Sequence, residues 1–172
     1  MSQITYFDNV VPTTERMNIF KFCQSSMYQL GWYDSDDPAK FIPNLHSHWS
    51  DTDVENSQLL PYIQNCIDQT PWFTKKKIDM TVVNLVRSND VHTIHHHKMS
   101  QVALYYVNLD WRDGWYGETI FYDELDQNKI DFTSPYIPGR IILFDGKIPH
   151  AIRPQSVDGP KFRITLSFFY ES

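Results

Sequence analysis

Cysteine, glycine, positive charge and long apolar runs are all scarce in this chain of 172 residues. Its two cysteines, Cys23 and Cys66, are too few for a disulfide framework, so we expect a reducing, cytoplasmic compartment. No stretch approaches the roughly 20 apolar residues of a membrane span, and no secretory signal is expected at the N-terminus. The formal net charge of −6 argues against binding to a nucleic-acid backbone.

The hydrophobic fraction of 41% predicts a globular chain with a core of its own. Apolar spacing predicts a helix from Thr13 or Thr14 to about Leu30 and another from about Glu55 to Gln69, with residues 32–54 irregular between them. After residue 79 the chain changes to short β-branched or aromatic segments separated by turn residues. These predicted strands are Met80–Val86, Val91–His97, Val102–Asn108, Glu118–Tyr122, Ile130–Phe132, Arg140–Phe144 and Phe162–Phe169.

Such an order of elements favours an α+β fold built on an antiparallel barrel or jelly roll. We expect one domain over residues 1–172, because no boundary divides the chain. Residues 1–78 would be mostly helical or irregular support and lid, and residues 79–172 would form the β core.

The histidine run His95-His96-His97 carries the chemistry. Side chains alternate along a strand, so His95 and His97 would share one face while His96 points away. His150 follows an apolar strand and would bring a third imidazole from a distance. Three ligands on one side of a metal leave its other side open for a co-substrate and oxygen.

The three consecutive histidines alone do not decide between a metal site and a chance run. The other histidines are expected to have no role as metal ligands. We expect His92 and His96 to face away from the metal. His46 and His48 are spaced like ligands but fall in the irregular segment, where loop or lid positions are expected. His48 is retained as a candidate contact for the substrate.

A second constellation surrounds Arg163, which shares one face of an alternating strand with Thr165 and Ser167. A guanidinium that points into a barrel interior is costly unless an anion neutralises it. A carboxylate bound by the arginine fork, with hydroxyl groups of Ser167 and Tyr106 as further donors, meets that requirement. The alternative is that Arg163 pairs with an internal acid or lies outside the barrel.

Taken together, the second half of the chain resembles the iron(II)/2-oxoglutarate-dependent dioxygenases of the prolyl-hydroxylase type. The order and approximate spacing of the motifs agree from about residue 80 to the end, and Phe7–Val11 resembles the family's N-terminal segment. The matching segments are Tyr105–Trp111, Tyr116–Phe121, Pro138–Phe144, Pro149-His150 and Arg163–Ser167.

The resemblance implies a double-stranded β-helix, a cupin-like jelly roll with supporting N-terminal helices. His95 and His150 would be the first and the distal ligands of Fe(II). Arg163, with Ser167 and Tyr106, would bind the far carboxylate of 2-oxoglutarate, and O2 would be the second co-substrate. The activity implied is hydroxylation of a C–H bond.

The chain departs from the family's His-x-Asp motif, because the third position is His97. A neutral imidazole in place of a carboxylate leaves the metal one unit more positive, and three histidines also suit zinc or copper. The imidazole fills the space where related halogenases bind chloride, so halogenation is disfavoured. A metal site that used Asp90 and His92 in place of His95 and His97 would reverse the order of the motif. Glu118 is the nearest carboxylate that could reach the metal from another strand.

Three functions remain open from the sequence. The first is a 2-oxoglutarate-dependent hydroxylase with a three-histidine site, and the second is a three-histidine cupin-like enzyme that does not use 2-oxoglutarate. The third is a non-catalytic β-barrel that binds an acidic small molecule or a protein. Trp111 and Trp115 are candidate rim residues for a peptide, prolyl or small-molecule substrate, or else packing residues.

Overall fold

The computed structural model describes residues 3–32, 43–97 and 100–171. Antiparallel sheets dominate these ranges, and none of their helices has the length and apolar character to span a bilayer. The strands are β1 (Ile4–Phe7), β2 (Gln29–Trp32), β3 (Asn44–His48), β4 (Lys77–Val86), β5 (Gln101–Tyr106), β6 (Thr119–Tyr122), β7 (Ile130–Ser134), β8 (Ile141–Asp145), β9 (His150–Ile152) and β10 (Arg163–Glu171). The helices are α1 (Thr13–Ser25), α2 (Asp51–Ser57) and α3 (Leu60–Asp68).

Seven strands form a large sheet in the order β1-β8-β5-β10-β4-β3-β2, and three form a small sheet in the order β7-β6-β9. One hydrophobic cluster joins the helices to the large sheet, with Ile19 and Ile63 packed in the same cluster as Leu166. A second cluster lies between the two sheets and includes Leu104 and Phe121. The architecture is therefore the predicted α+β jelly roll with supporting helices.

Strand β10 shows how one sequence pattern serves both layers. Ile164, Leu166 and Phe168 belong to the cluster beneath the helices. The alternate residues Arg163 and Ser167 point between the sheets, because successive side chains of a strand face opposite ways. The predicted separation of this strand into an apolar face and a polar face is thus present.

The N-terminal part differs from the prediction. Helix α1 ends at Ser25 and not near Leu30, because the hydroxyl groups of Ser25 and Ser26 donate to the Phe22 carbonyl and Ser26 is already extended. The described part of the segment predicted to be irregular contains β3, whose ladder with β4 pairs Leu45 with Leu85. Residues 33–42 lie outside the described ranges.

Two further elements were predicted wrongly. The helix expected over residues 55–69 is two helices, because Gln58 adopts φ 56° and interrupts it, and the capping box of Ser50 with Asp53 starts α2 earlier. Residues 91–97 do not form a strand; their one ladder contact is an isolated bridge from His95 to His150. Capping geometry and the left-handed Gln58 therefore overrode the apolar periodicity in the predicted helix.

Candidate metal centre

The three predicted histidines meet at one point. His95 and His150 exchange both backbone hydrogen bonds, at 3.0 and 2.9 Å, which places their rings side by side with centroids 4.4 Å apart. The His97 ring lies 5.1 Å from each of the other two. One nitrogen from each residue lies within 4.8 Å of the others, so the group could hold a single metal ion.

His97 reaches this point because the chain passes close to Gly146. The His97 N–H donates to the Gly146 carbonyl at 2.6 Å, and the Gly146 N–H donates to the Ser100 carbonyl at 2.9 Å. A side chain at position 146 would collide with the carbonyl oxygens of both His97 and Ser100, so only glycine fits. The His97 ring then packs edge-on against Phe169, with centroids 4.8 Å apart.

Two of the imidazoles are oriented as metal ligands require. Nδ1 of His150 lies 2.8 Å from the Ile148 carbonyl, and Nδ1 of His95 lies 3.1 Å from the Thr93 carbonyl. A carbonyl only accepts, so Nδ1 carries the proton in each ring and Nε2 presents a lone pair. Burial, and then the neighbouring His95 and His97, hold the pKa of His150 well below its ordinary value, which keeps that ring neutral.

Arg163 is fully buried in the same cavity, and one of its nitrogens has no hydrogen-bond partner among the described residues. Its Nε donates to the Gly117 carbonyl at 2.7 Å, and Nη2 donates to Oγ1 of Thr119 at 3.0 Å. Nη1 is the nitrogen left over. The rings of Tyr106 and Tyr136 lie 5.4 and 5.1 Å from the guanidinium carbon, close enough for cation–π attraction.

No ion pair balances the Arg163 charge within the part of the chain that the structure describes. Burial lowers the pKa of Arg163, and the nearby phenols and Glu118 oppose that shift. An arginine remains protonated in spite of such a shift, so the cavity holds a buried cation with no ion-pair partner among the described residues. Oε1 of Glu118 lies 3.7 Å from Nη1 of Arg153, and Oε2 of Glu118 is buried without a hydrogen-bond partner among the described residues.

The cavity between the sheets has a volume of about 50 Å³ and opens to solvent. Ser167, predicted as a donor, lies in its wall together with the three histidines and Arg163. Its described lining includes no aspartate or glutamate. The lining residues are Asn44, Asn84, Val86, His92, His95, His97, Val102, Leu104, Thr119, Phe144, His150, Ile152, Arg163, Thr165, Ser167 and Phe169.

Tyr106 lies behind the wall and not in it. Its ring stacks on Tyr136 at 4.3 Å, and its hydroxyl donates to Oγ1 of Thr119 at 2.8 Å. Thr119 therefore links Tyr106 to the Arg163 guanidinium. Of these three residues, Thr119 and Arg163 line the described cavity and Tyr106 does not.

The structure does not bring the three candidate substrate contacts into the cavity. Trp111 packs on Tyr136 at 4.1 Å and donates its indole N–H to the Tyr116 carbonyl, and Trp115 lies edge-on to Trp111. His48 lines a separate groove beside α1. His96 is exposed as expected, whereas His92, which we expected to face away, lines the cavity.

Sequence reasoning missed two amides in the wall, Asn44 and Asn84. Both side-chain oxygens are buried without a hydrogen-bond partner among the described residues. The sequence did contain a signal for Asn84. This polar residue lies in β4 between Val82 and Val86, which form the rest of its inward face. Asn44 carried no such signal, since its strand was not predicted.

Comparisons with known proteins find the fold but no close relative. No protein-family model matches the chain, and a search of curated proteins finds no match either. Among solved structures, a Pseudomonas putida prolyl-4-hydroxylase is similar with a TM-score of 0.71 and 12% identity, over 100% of this chain and 94% of that one. A Trichoplax adhaerens prolyl hydroxylase, solved in complex with a hypoxia-inducible-factor peptide fragment, has a TM-score of 0.70 and 15% identity, over 99% and 84%.

Another similar structure is SnoN, a non-heme alpha-ketoglutarate-dependent epimerase from nogalamycin biosynthesis, with a TM-score of 0.73 and 11% identity over 99% of this chain and 79% of that one. Hydroxylases and an epimerase therefore share this architecture, so the fold does not specify the reaction. The chain has the jelly-roll fold of the prolyl hydroxylases and other 2OG-Fe(II) oxygenases, with a three-histidine group that could bind a metal between its sheets.

Proposed function

We propose that this protein is an iron(II)- and 2-oxoglutarate-dependent oxygenase that hydroxylates a C–H bond of a peptide, a prolyl residue or a small molecule. The observation that carries the proposal is the Nη1 atom of Arg163. It is buried and has no hydrogen-bond partner among the described residues, in a cavity that also contains three imidazole nitrogens within 4.8 Å of one another.

The donor set fits a divalent transition metal. His95, His97 and His150 would hold it, since neutral imidazole nitrogens suit iron(II) as well as zinc and copper. The backbone acceptors on Nδ1 of His95 and His150 pre-orient two of these ligands and raise their basicity.

The far side of the cavity fits a dicarboxylate. Arg163 would bind one carboxylate through Nη1, while its bonds to the Gly117 carbonyl and Thr119 keep the guanidinium from rotating. The hydroxyl groups of Thr165 and Ser167, which also line the cavity, would donate to the same ligand. Charge-assisted bonds of this kind in a buried site are strong enough to select a dicarboxylate over a neutral ligand.

Iron(II) with 2-oxoglutarate and oxygen would supply the oxidising chemistry. The chain's own part is to bind these components, orient them and limit the access of water. Val102, Leu104 and Phe144 provide apolar wall between the histidines and Arg163. A peptide or prolyl target is included because similar structures are prolyl hydroxylases, one of them bound to a peptide fragment.

The test combines metal analysis with ligand binding. Protein purified without chelator is analysed for metal, and the iron(II) form is titrated anaerobically with 2-oxoglutarate; exposure to oxygen should then give succinate. The His150→Ala variant should lose stoichiometric metal and all succinate formation. If the wild type binds metal but neither binds 2-oxoglutarate nor forms succinate with broad substrate pools, the proposal fails.

A second candidate is a three-histidine metal enzyme that does not use 2-oxoglutarate. The neutral donor set favours it, because no described acid lines the cavity as the family's His-x-Asp motif would require. It predicts stoichiometric metal with no effect of 2-oxoglutarate on the metal's absorption spectrum, so the same titration separates the two functions.

A further inference from the structure

The charges in the cavity do not sum to zero when it contains the proposed metal and 2-oxoglutarate. A divalent metal on the three histidines would bring two positive charges, and buried Arg163 contributes another. 2-Oxoglutarate contributes two negative charges, so the net charge of these groups is +1. Uncompensated charge in a buried site is costly, and a bound cation is the largest charge in its surroundings.

Acids near the cavity are already paired with other cations. Oδ1 of Asp90, which precedes the histidine run, accepts from Nη2 and Nε of Arg87 at 2.7 and 2.9 Å, and Oδ2 accepts from the Arg87 backbone N–H at 2.7 Å. Glu118 lies 3.7 Å from Arg153. Neither residue lines the cavity, whose described lining includes no acidic side chain. The described lining of the cavity therefore supplies no negative charge.

The wall formed by β3 and β4 can receive an anion. Asn44 and Asn84 line it, and each has a buried amide oxygen without a partner among the described residues. An amide turned by 180° presents its N–H groups in place of the oxygen, and the two orientations are nearly indistinguishable by shape. Both amides can therefore donate to an anionic group as readily as they accept from a neutral one.

We infer that the prime substrate of this cavity carries a negatively charged group, of which a carboxylate is the simplest example. This inference rests on the proposed function and narrows its substrate class. The imidazole of His97, standing where the family has an aspartate, leaves a positive charge that the substrate's own anion neutralises. A substrate with a cationic group would add to the imbalance and be rejected.

The test measures binding and needs no turnover. Protein loaded with cobalt(II), which gives a visible spectrum, is saturated with 2-oxoglutarate without oxygen and titrated at constant ionic strength. Acetate and acetamide are the probes, because they have nearly the same shape and differ in charge. Acetate should bind at least tenfold more tightly than acetamide. Equal affinities, or no binding of acetate, would overturn the inference.

A matched pair of variants isolates the charge at position 97. His97→Asp adds the negative charge and His97→Asn is its neutral isostere. With metal content verified, the aspartate variant should bind acetate at least tenfold more weakly than the asparagine variant. Equal affinities in the two variants contradict the inference. If either variant loses its metal, the acetate and acetamide comparison on the wild type still decides.

The experiments distinguish a failure of the proposed function from a failure of this inference. If the cobalt protein does not bind 2-oxoglutarate, the proposed function fails and this inference fails with it. If it binds 2-oxoglutarate but does not prefer acetate, the inference alone fails and the oxygenase function stands.

Discussion

At the scale of single residues, the cavity wall is one of the places in the described protein where buried polar atoms lack hydrogen-bond partners. Nη1 of Arg163 and the Oδ1 atoms of Asn44 and Asn84 are buried and make no hydrogen bond to any residue in the described ranges. A buried polar atom left unsatisfied costs about 1–3 kcal/mol. Three such atoms around one cavity are best explained as groups that a ligand satisfies, at some expense of stability in the free protein.

Replacement of Arg163 by lysine tests the geometry of this cation. The ammonium group keeps the charge but cannot donate to Gly117, Thr119 and a carboxylate in one plane. We expect the affinity for 2-oxoglutarate to fall by about 2 kcal/mol or more, while metal binding is retained. Anaerobic titration of the metal-loaded protein measures both. An unchanged affinity would remove Arg163 from the binding site.

Replacement of Asn84 by leucine tests the cost of an unpartnered amide. The free energy of unfolding, measured in urea, should rise by about 1 kcal/mol in this variant. The reason is that a buried polar atom without a partner is replaced by apolar surface. Asn65→Leu, on the exposed face of α3, is the control and should change stability by less than about 0.5 kcal/mol. A destabilised Asn84→Leu protein would mean that the amide is satisfied in the free state.

At the scale of elements, the turn before β6 connects backbone conformation to the anion site. Gly117 has φ +84° and follows Tyr116 at φ 60°, so two consecutive residues are left-handed. The indole of Trp111 covers Gly117 closely, and the Gly117 carbonyl accepts from Nε of Arg163. The turn thus sets the position of the guanidinium, and the tryptophan holds the turn in place.

Gly117→Ala should therefore be disruptive. A Cβ atom there would lie 2.6 Å from Cζ2 of Trp111, in a backbone conformation that alanine disfavours. We expect a loss of about 2–4 kcal/mol in the free energy of unfolding, measured in urea. Gly114→Ala, where a Cβ atom would meet nothing within 4 Å, is the matched control. Equal losses in the two variants would contradict this account of the turn.

At the scale of the whole molecule, the large sheet separates a polar cavity from an apolar layer of helices. That apolar layer contains Cys23, Cys66, Tyr105 and Tyr170. Burial raises the pKa of Cys66 to about 11 and raises the pKa of the other three groups further. Each group consequently keeps its proton in the folded state at pH values where the unfolded chain loses it.

Stability should therefore fall in alkaline solution. The ordinary pKa values are 9.0 for the thiols and 10.0 for the phenols, so the contribution is complete below about pH 9 and is lost as pH rises toward the folded-state values. We expect the free energy of unfolding to drop by at least about 2 kcal/mol between pH 8 and 10.5. Tyr170→Phe should show a smaller drop. A flat profile would show that these groups ionise equally in both states.

Local patterns were enough to predict much of this protein. Alternation along Arg163–Ser167 predicted which side chains enter the cavity, because the faces of a strand follow from its period of two. The convergence of His95, His97 and His150 was likewise predicted, although residues 91–97 form only an isolated bridge and not the expected strand. Tyr106 lies behind the cavity wall, and Trp111, Trp115 and His48 do not line the cavity, because their positions depend on contacts between distant segments.

The amino-acid sequence by itself determined that short strands dominate after residue 79 and which residues share the polar face of β10, since both depend on neighbours within a few residues. Only the tertiary structure decided that Asn44–His48 is a strand, because its hydrogen-bond partners lie in β4, far along the chain. The same holds for the hydrogen-bond partners of Arg163, the Gly117 carbonyl and Thr119, and for the two amides that line the same cavity, since all of them are distant from Arg163 in the sequence. Contacts between distant segments depend on how the sheets pair and pack, and local sequence carries little of that information.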